Sequence, residues 1–259
     1  MNTNLWGDFQ LKNVFKDRDP RIAQIILNPE QSKEILYNRD QYEFPRIAGM
    51  TGWESATGYH VIKYYERSQD AKGYGNESHD APLFRYAEVL LNLAEAKAEL
   101  EECDQTVLDN TINKLRRRAG MPELDINDIP VDPKYQGEGL SPLLVEIRRE
   151  RRIELCFEQL RYQDLMRWKK GSYLQKDMVG MRFESSYIDD YDYFGKEEAE
   201  KNNVKSSLQL ITVAGKTYLS PYGGTTYINR GFDEDKHYLW PIPVVELSRN
   251  PNLVQNPHW

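Results

Sequence analysis

The chain has 259 residues, enough for one large domain or two modest ones, and its formal net charge of −7 argues against a nucleic-acid partner. No apolar run approaches the length that spans a membrane. The two cysteines, Cys103 and Cys156, have neither metal-ligand spacing nor the pattern of a disulfide framework, and we expect no metal and no cofactor.

Loop signals dominate residues 1–79. Asp19-Pro20 marks a turn, and Asn28-Pro29 ends a short apolar segment. Residues 59–65, YHVIKYY, are β-branched and aromatic, which is typical of a strand. This part of the sequence therefore predicts a loop-rich segment that holds a short strand.

A helix pair is predicted between residues 80 and 119. Asp80 is the expected N-cap of the first helix, and Pro82 suits its first turn. The second helix covers residues 106–119 and ends at Gly120, a favoured C-cap residue. A short polar connection between them predicts antiparallel packing. The expected apolar stripe of the first helix comprises Leu83, Ala87, Leu90, Leu91, Ala94 and Ala98.

Residues 141–168 are the most informative stretch. Ser141 and Pro142 predict the start of a long helix that reaches about Glu158, and a shorter helix over 161–168 completes a second pair. Apolar side chains surround most of the long helix, so we expect it to be buried with Cys156 inside it.

Three glutamates of the long helix, Glu150, Glu154 and Glu158, repeat every four residues and share one face. Their spacing of about 6 Å between Cβ atoms fits a catalytic or metal-binding cluster, since glycosidase carboxylates lie about 5–9 Å apart. It equally fits ion pairs with the arginines of the same segment. Because buried charges must be paired, we favour an ion-pair network and keep a glycosidase that uses Glu150 and Glu154 as an alternative.

The helical pattern stops after Gly171. Residues 172–237 are loop-rich, with short strands predicted over 208–213 and 216–219 around Ala214-Gly215. Residues 238–259 are predicted to form an extended tail with one helical turn near 244–247.

The two successive helix pairs resemble tetratricopeptide-type repeats, although their period is too long for a regular array. We therefore predict a mainly α fold, with tetratricopeptide-like helix pairs and a loop-rich part that contains short β-strands. We expect a single domain over residues 1–259, with its helical scaffold at about 80–171.

Four stretches together resemble the C-terminal half of the SusD/RagB family of nutrient-binding proteins. They agree with that family in order and spacing, and the resemblance runs from about Asp19 to the end of the chain. The stretches are RYAEVLLNLAEAKAEL (85–100), INKLRRRAGMP (112–122), IRRERRIELCFEQLRYQDLMRWKKG (147–171) and YLWPIPVVELSRNPNLVQNPHW (238–259).

This resemblance implies a cell-surface lipoprotein of the bacterial outer membrane that is not an enzyme. Members of the family act as a lid on a TonB-dependent transporter of the SusC type. They bind oligosaccharides, or peptides in the RagB branch, and pass them to the pore. The resemblance also implies that the helices form a scaffold and that the loop-rich parts carry the ligand surface.

The chain departs from the family pattern in length and at one residue. Family members are about twice as long, and the half that holds their signal peptide and lipidated cysteine has no counterpart here, so we expect a piece of a longer protein. Gln159 stands where the family commonly has glycine.

Exposed aromatic side chains of residues 1–79 are the expected ligand site, because aromatic rings stack on sugars and nearby amide or guanidinium groups orient them. Packing in the core is the alternative role for each ring. Tyr187, Tyr191 and Tyr193 form a second candidate surface. The expected ligand-binding residues are Trp6, Tyr37, Asn38, Arg39, Tyr42, Arg46 and Trp53.

Two further functions remain alternatives to glycan uptake. One is uptake of an oligopeptide by a RagB-like protein, and the other is a helical-repeat scaffold whose partner is a protein. Asp189, Asp190 and Asp192 could chelate a cation, but they lack the glycine and the distal glutamate of an EF-hand loop, so we expect no metal there.

Overall fold

A computed structural model describes residues 14–28, 47–48, 55–65, 80, 82–183, 188 and 198–259. These residues are mainly α-helical, with one two-stranded sheet among them, which confirms the predicted fold class. The chain divides into two compact units. Among the described residues, we call those within 14–28 and 60–159 the helical unit, and those within 47–48, 55–59 and 160–259 the mixed unit. The single domain expected over residues 1–259 stays a prediction.

The helical unit contains five α-helices within its described part. Their bounds are α1 Ile22–Ile25, α2 Tyr86–Glu99, α3 Gln105–Asn110, α4 Ile112–Ala119 and α5 Pro142–Glu154. Helix α2 packs most extensively against α5 and also contacts α3 and α4, so the first predicted helix pair is present. Five side chains are fully buried between these helices: Leu91, Ala94, Leu108, Ile112 and Ile147.

Helix α2 begins later than the sequence predicts. Its N-cap is Arg85, which is extended at φ −138° and ψ 162°, so Asp80 does not cap it. Leu83, expected on the buried stripe, is 95% exposed. Arg85 stays extended while its guanidinium forms ion pairs with Glu154 and Glu158, and this tertiary contact overrides the local capping signal.

The helix predicted over 106–119 is broken into α3 and α4 at Thr111, where φ is −125° and ψ is −91°. The hydroxyl of Thr111 donates to the carbonyl of Val107 at 2.6 Å, a contact that often bends helices. Asp104 caps α3 by accepting from the Val107 amide at 2.8 Å. Gly120 ends α4 at φ 70°, as predicted.

Helix α5 begins as predicted but ends four residues early. Ser141 Oγ accepts from the Leu144 amide at 3.2 Å. The helix ends at Glu154, and Phe157 and Gln159 follow in the left-handed region at φ 62° and 63°. Cys156 therefore lies beyond the helix and is half-buried, contrary to the expectation that it belongs to a buried helix.

The strand predicted over 59–65 is reduced to one isolated antiparallel bridge between Ile26 and Val61. The Leu27 amide donates to the His60 carbonyl at 2.9 Å, and the Ile62 amide donates to the Ile25 carbonyl at 2.8 Å. Regular pairing ends there because Tyr64 turns into the left-handed region at φ 66°.

In the mixed unit, the two predicted strands form an antiparallel hairpin, β1 Leu210–Val213 and β2 Lys216–Leu219. Ala214 and Gly215 connect them with φ values of 49° and 74°, the positive pair that a type I′ turn requires. The helices of this unit are α6 Arg161–Arg167, α7 Glu198–Ser207 and α8 Val244–Arg249. Since α5 and α6 belong to different units, the second helix pair stays a prediction.

Residues 180–181 link residues 55–59 to the hairpin through close backbone contacts within the mixed unit. The Gly180 amide donates to the Leu219 carbonyl at 2.8 Å, and the Met181 amide donates to the Thr57 carbonyl at 2.7 Å. A Cβ atom on Gly180 would lie 2.5 Å from the Thr57 carbonyl oxygen. Glycine at position 180 therefore permits this approach.

Candidate functional site

The three glutamates that α5 carries on one face are almost completely buried. Glu146, Glu150 and Glu154 are only 2–3% exposed. An unpaired carboxylate at such a depth costs several kcal/mol. The surroundings must therefore supply positive charge.

Arg21, the residue before α1, supplies part of that charge. Its Nη1 donates to Glu150 Oε1 at 2.5 Å and to Glu154 Oε2 at 3.0 Å. Asp19 accepts from Nε at 2.9 Å and from Nη2 at 2.6 Å. Every nitrogen of this buried guanidinium thus has a carboxylate partner.

Two arginines of α4 approach the same glutamates. Arg116 Nε donates to Glu150 Oε2 at 3.0 Å, and its Nη2 reaches Glu146 at 3.4 Å. Arg118 Nη2 donates to both oxygens of Glu154 at 2.7 and 2.6 Å. These contacts fix α4 against α5.

Lys63 and Arg85 hold the C-terminal end of α5. Lys63 Nζ donates to the carbonyls of Glu154 and Cys156 at 3.1 and 2.7 Å and to Glu158 Oε1 at 2.5 Å. Arg85 donates to both oxygens of Glu158 through Nε at 3.0 and 2.8 Å. Cations that satisfy terminal carbonyls stabilise a helix end, which explains why α5 stops here.

The predicted ion-pair network is therefore present, but its arginines come mainly from other elements than expected. Within α5, Arg148 reaches Glu95 at 3.3 Å and Glu99 at 3.2 Å. Arg151 Nη1 donates to Asn92 Oδ1 at 2.8 Å. These two arginines bind α2, whereas Glu146, Glu150 and Glu154 face the arginines of α4.

The electrostatics of Glu154 and Glu158 do not suit acid catalysis. Burial alone would raise the pKa of Glu154, but hydrogen bonds from Arg85 and Arg21 outweigh it and hold this pKa below its usual range. Burial also opposes ionisation of Glu158, and Arg85 and Lys63 together lower its pKa. A general acid needs a raised pKa, so the geometry gives the glycosidase alternative no support.

A pocket of about 210 Å³ opens beside this network in the helical unit. Arg118 stands at its wall with a side chain that is 55% exposed, and Gln24 is also exposed there. Among the described residues, no group of three or more His, Cys, Asp or Glu side chains is placed to hold a metal ion. The pocket is lined by Arg21, Gln24, Ile25, Lys63, Tyr64, Arg85, Arg118 and Glu154.

Tyr64 lines the pocket in a strained conformation. Its φ of 66° lies in the left-handed region, which costs a bulky residue on the order of 1–3 kcal/mol, and the residue is 44% exposed. Lys63 Nζ lies 5.8 Å from the centre of its ring. Burial and the charge of Glu158 raise the pKa of Tyr64.

The ligand-binding residues predicted from the sequence lie outside the described residues, as do the tyrosine and aspartate candidates between 184 and 197. Their role stays a prediction. The predicted set comprises Trp6, Tyr37, Asn38, Arg39, Tyr42, Arg46 and Trp53, and the second set comprises Tyr187, Asp189, Asp190, Tyr191, Asp192 and Tyr193.

Sequence reasoning missed the residues that form the pocket. Tyr64 belongs to the segment predicted as a strand, and Arg118 is one of three consecutive arginines at the end of α4, so neither stood out as a site residue. The detectable signal for Arg118 was its position in the last turn of a helix that ends at Gly120, where a cation is favoured. Nothing in the sequence pattern indicated that Arg21 would meet Glu150, 129 residues away.

Comparison with known proteins decides the family. The model of the SusD family matches residues 9–259, nearly the entire chain. This chain belongs to the SusD family. The fold-level and family-level predictions made from the sequence are therefore confirmed.

The SusD-like proteins to which this chain is similar are longer than the chain. SusD-like protein P2 of Formosa agariphila is 28% identical over 198 residues, which are 76% of this chain and 29% of that protein. A crystal structure of a SusD-like carbohydrate-binding protein of Bacteroides fragilis is 28% identical, with a TM-score of 0.63 over 95% of this chain and 43% of that protein. A second SusD-like protein of the same species is 25% identical, with a TM-score of 0.60, and 95% of this chain matches 40% of it.

The chain thus spans less than half the length of these relatives. The pKa of Glu154, which hydrogen bonds from Arg85 and Arg21 lower, does not suit the glycosidase alternative.

Proposed function

We propose that the chain is part of a cell-surface nutrient-binding protein that captures an oligosaccharide and passes it to a TonB-dependent outer-membrane transporter of the SusC type. The observation that carries this proposal is the match of the SusD family over residues 9–259. The similar Bacteroides fragilis protein, described as carbohydrate-binding, supports a glycan as the ligand.

In this proposal, the helical unit acts as a scaffold that supports the ligand-binding residues. Its glutamates are engaged by guanidinium and ammonium groups from four other segments, an arrangement that fixes the helices against one another. In this proposal, the first ligand contacts come from aromatic and polar side chains outside this network. We propose Trp6, Tyr37, Asn38, Arg39, Tyr42, Arg46 and Trp53 for that role.

A transporter partner would place the protein at the outer membrane. No helix among the described residues is long and apolar enough to cross a membrane. The C-terminal tail carries exposed apolar side chains, with Trp240 at 75%, Val244 at 78% and Val254 at 82% exposure. Exposed apolar side chains that form a contiguous patch typically mark a surface for a macromolecular partner, and this tail is our candidate for that surface.

A glycan-array screen tests the ligand class. We expect the protein to bind defined oligosaccharides and Trp53→Ala to weaken this binding at least tenfold. The matched control is Trp168→Ala, which removes a ring that lies against Arg161 and Arg167 and should leave glycan affinity unchanged. Binding of peptides and not of glycans would favour the RagB-like alternative. Unchanged glycan binding by Trp53→Ala would remove Trp53 from the site.

Co-purification tests the partner. A TonB-dependent barrel encoded beside this chain is expected to co-purify with the tagged protein from solubilised outer membranes. Trp240→Ser tests whether the exposed tail contributes to binding of the barrel. Recovery of the protein from outer membranes without any barrel would contradict the transporter part of the proposal.

A further inference from the structure

The pocket beside the glutamate network has an unusual balance of charge. Its wall carries four cationic side chains and a single carboxylate, that of Glu154. The remaining carboxylates of the network do not line it; Glu150, for example, is 2% exposed and faces Arg21 and Arg116. The lining of the pocket is therefore mostly cationic, although carboxylates behind it pair with Arg21, Lys63 and Arg85.

Three of the four cations are already saturated. The nitrogens of Arg21 and Arg85 donate to carboxylate or carbonyl oxygens, and Lys63 donates to three acceptors. Arg118 differs, because only its Nη2 donates to Glu154. Its Nε and Nη1 have no hydrogen-bond partner among the described residues, and its side chain is 55% exposed. Arg118 thus keeps free donors on the pocket wall.

Tyr64 adds an aromatic surface to the same pocket. The residue is 44% exposed and is held at φ 66°, a backbone conformation that a bulky side chain rarely adopts. Strain of this kind concentrates at functional sites. An exposed ring beside a guanidinium provides both a stacking surface and an anion-binding group.

We propose that this pocket binds the carboxylate of a uronic acid residue within an acidic oligosaccharide, with Arg118 donating to the carboxylate and Tyr64 stacking on the sugar ring. The volume of about 210 Å³ is below the range of about 300–1,000 Å³ that takes drug-sized ligands, which suits one sugar residue of a longer chain. This inference rests on the proposed function and adds a ligand class and a second point of contact to it.

The probes are oligogalacturonate and the same oligosaccharide with its carboxylates methyl-esterified, each titrated into the protein by calorimetry. We expect the free acid to bind at least tenfold more tightly than the ester, because esterification removes the charge that Arg118 pairs with. Raising the salt concentration is expected to weaken binding of the acid more than binding of the ester.

Two variants and one control locate the binding. Arg118→Gln is expected to weaken binding of the acid about tenfold, the effect of losing one charge-assisted hydrogen bond. Lys114→Gln removes the same charge from the same helix, outside the pocket lining, and is expected to leave affinity unchanged. Tyr64→Asn removes the ring, so affinity should fall about threefold to tenfold. Because asparagine tolerates positive φ, the unfolding midpoint should not fall.

The outcomes separate this inference from the proposed function. Equal affinity for acid and ester, or equal effects of Arg118→Gln and Lys114→Gln, would overturn the pocket assignment while glycan binding stands. Binding of neutral glycans alone would overturn it as well. If no glycan binds at all, the proposed function and the pocket assignment both fall.

Discussion

Arg85 contacts both the side chain and the main chain of Glu154. Its Nη1 donates to Glu154 Oε1 at 2.7 Å, and its Nη2 donates to the Glu154 carbonyl at 2.7 Å. Arg85 is the N-cap residue of α2, and Glu154 is the last residue of α5. One guanidinium thus joins the start of one helix to the end of the other, so the family stretches that contain these residues are linked by a direct contact.

Removing the charge of Glu154 should unfold much of this arrangement. Glu154→Gln leaves Arg21, Arg85 and Arg118 without their shared carboxylate, and breaking a buried pair costs about 3–5 kcal/mol. We expect a loss of that size in the free energy of unfolding measured with urea. Glu99→Gln is the control, because Glu99 is half exposed and its loss should cost less than about 0.5 kcal/mol. A near-neutral Glu154→Gln would contradict the structural role of this carboxylate.

Lysine should not replace Arg85. Arg85 donates through Nε, Nη1 and Nη2 to three acceptor groups, whereas a lysine ammonium is a single compact charge that cannot span them. We expect Arg85→Lys to lower the free energy of unfolding by about 2 kcal/mol, as expected for lost charge-assisted hydrogen bonds. Arg117→Lys is the matched control, since Arg117 pairs with Glu123 on the surface. Equal effects of the two substitutions would show that the fork geometry of Arg85 is unimportant.

Acid should destabilise the protein in a defined range. The folded-state pKa values of Asp19, Glu154 and Glu158 lie below their ordinary values of 3.8, 4.5 and 4.5, so the folded protein binds fewer protons than the unfolded chain. Their contribution to stability is complete above about pH 5 and is lost as the pH falls through the folded-state pKa values.

Urea unfolding midpoints at pH 7, 5, 4 and 3 test this expectation. Titration of these three carboxylates should change the unfolding midpoint little between pH 7 and 5 and lower it steeply below about pH 4.5. Glu154→Gln should lose less stability than the unmodified chain over the acid range, because one of the titrating carboxylates is gone. Parallel pH profiles for the two proteins would contradict the assignment of Glu154.

Replacing Gln159 with glycine should stabilise the chain. Gln159 is exposed and has a φ of 63°, where an L side chain is strained by about 1–2 kcal/mol. Glycine adopts this φ freely but loses more backbone entropy on folding, so we expect Gln159→Gly to gain about 0.5–1 kcal/mol. Gln159→Ala keeps the strain and should gain nothing. A loss of stability with glycine would show that the Gln159 side chain makes a needed contact.

Alanine at position 180 should disrupt the mixed unit. A Cβ atom there would lie 2.5 Å from the Thr57 carbonyl oxygen, so the backbone must move. We expect Gly180→Ala to cost about 2 kcal/mol, in the range of overpacking substitutions. Gly231→Ala, where a Cβ atom meets nothing within 4 Å, should stay within about 0.5 kcal/mol of the unmodified chain. Thermal unfolding of the two variants provides the comparison.

Features with a local cause could be predicted from the sequence. Ser141 and Pro142 start α5, Gly120 ends α4, and Ala214-Gly215 turn the hairpin as the residue types require. The buried glutamates of α5 also had to be paired, which follows from their place on a largely apolar helix.

Features set by distant contacts could not be predicted. Arg85 displaces the start of α2 because it binds Glu154, 69 residues along the chain. Lys63, from a segment that the sequence pattern assigns to a strand, binds the carbonyl of Glu154 at the end of α5 and that of Cys156 just beyond it. Tyr64 and Arg118 likewise line one pocket only because the fold brings residues 60–65 and α4 together.

We propose that this SusD-family chain binds an oligosaccharide without cleaving it. Calorimetric titration with an oligosaccharide identified on the glycan array, followed by mass spectrometry of the recovered ligand, is the direct test. We expect saturable binding and an intact oligosaccharide after prolonged incubation. Shortened oligosaccharide, with cleavage abolished by substitution of Glu150 or Glu154, would contradict it.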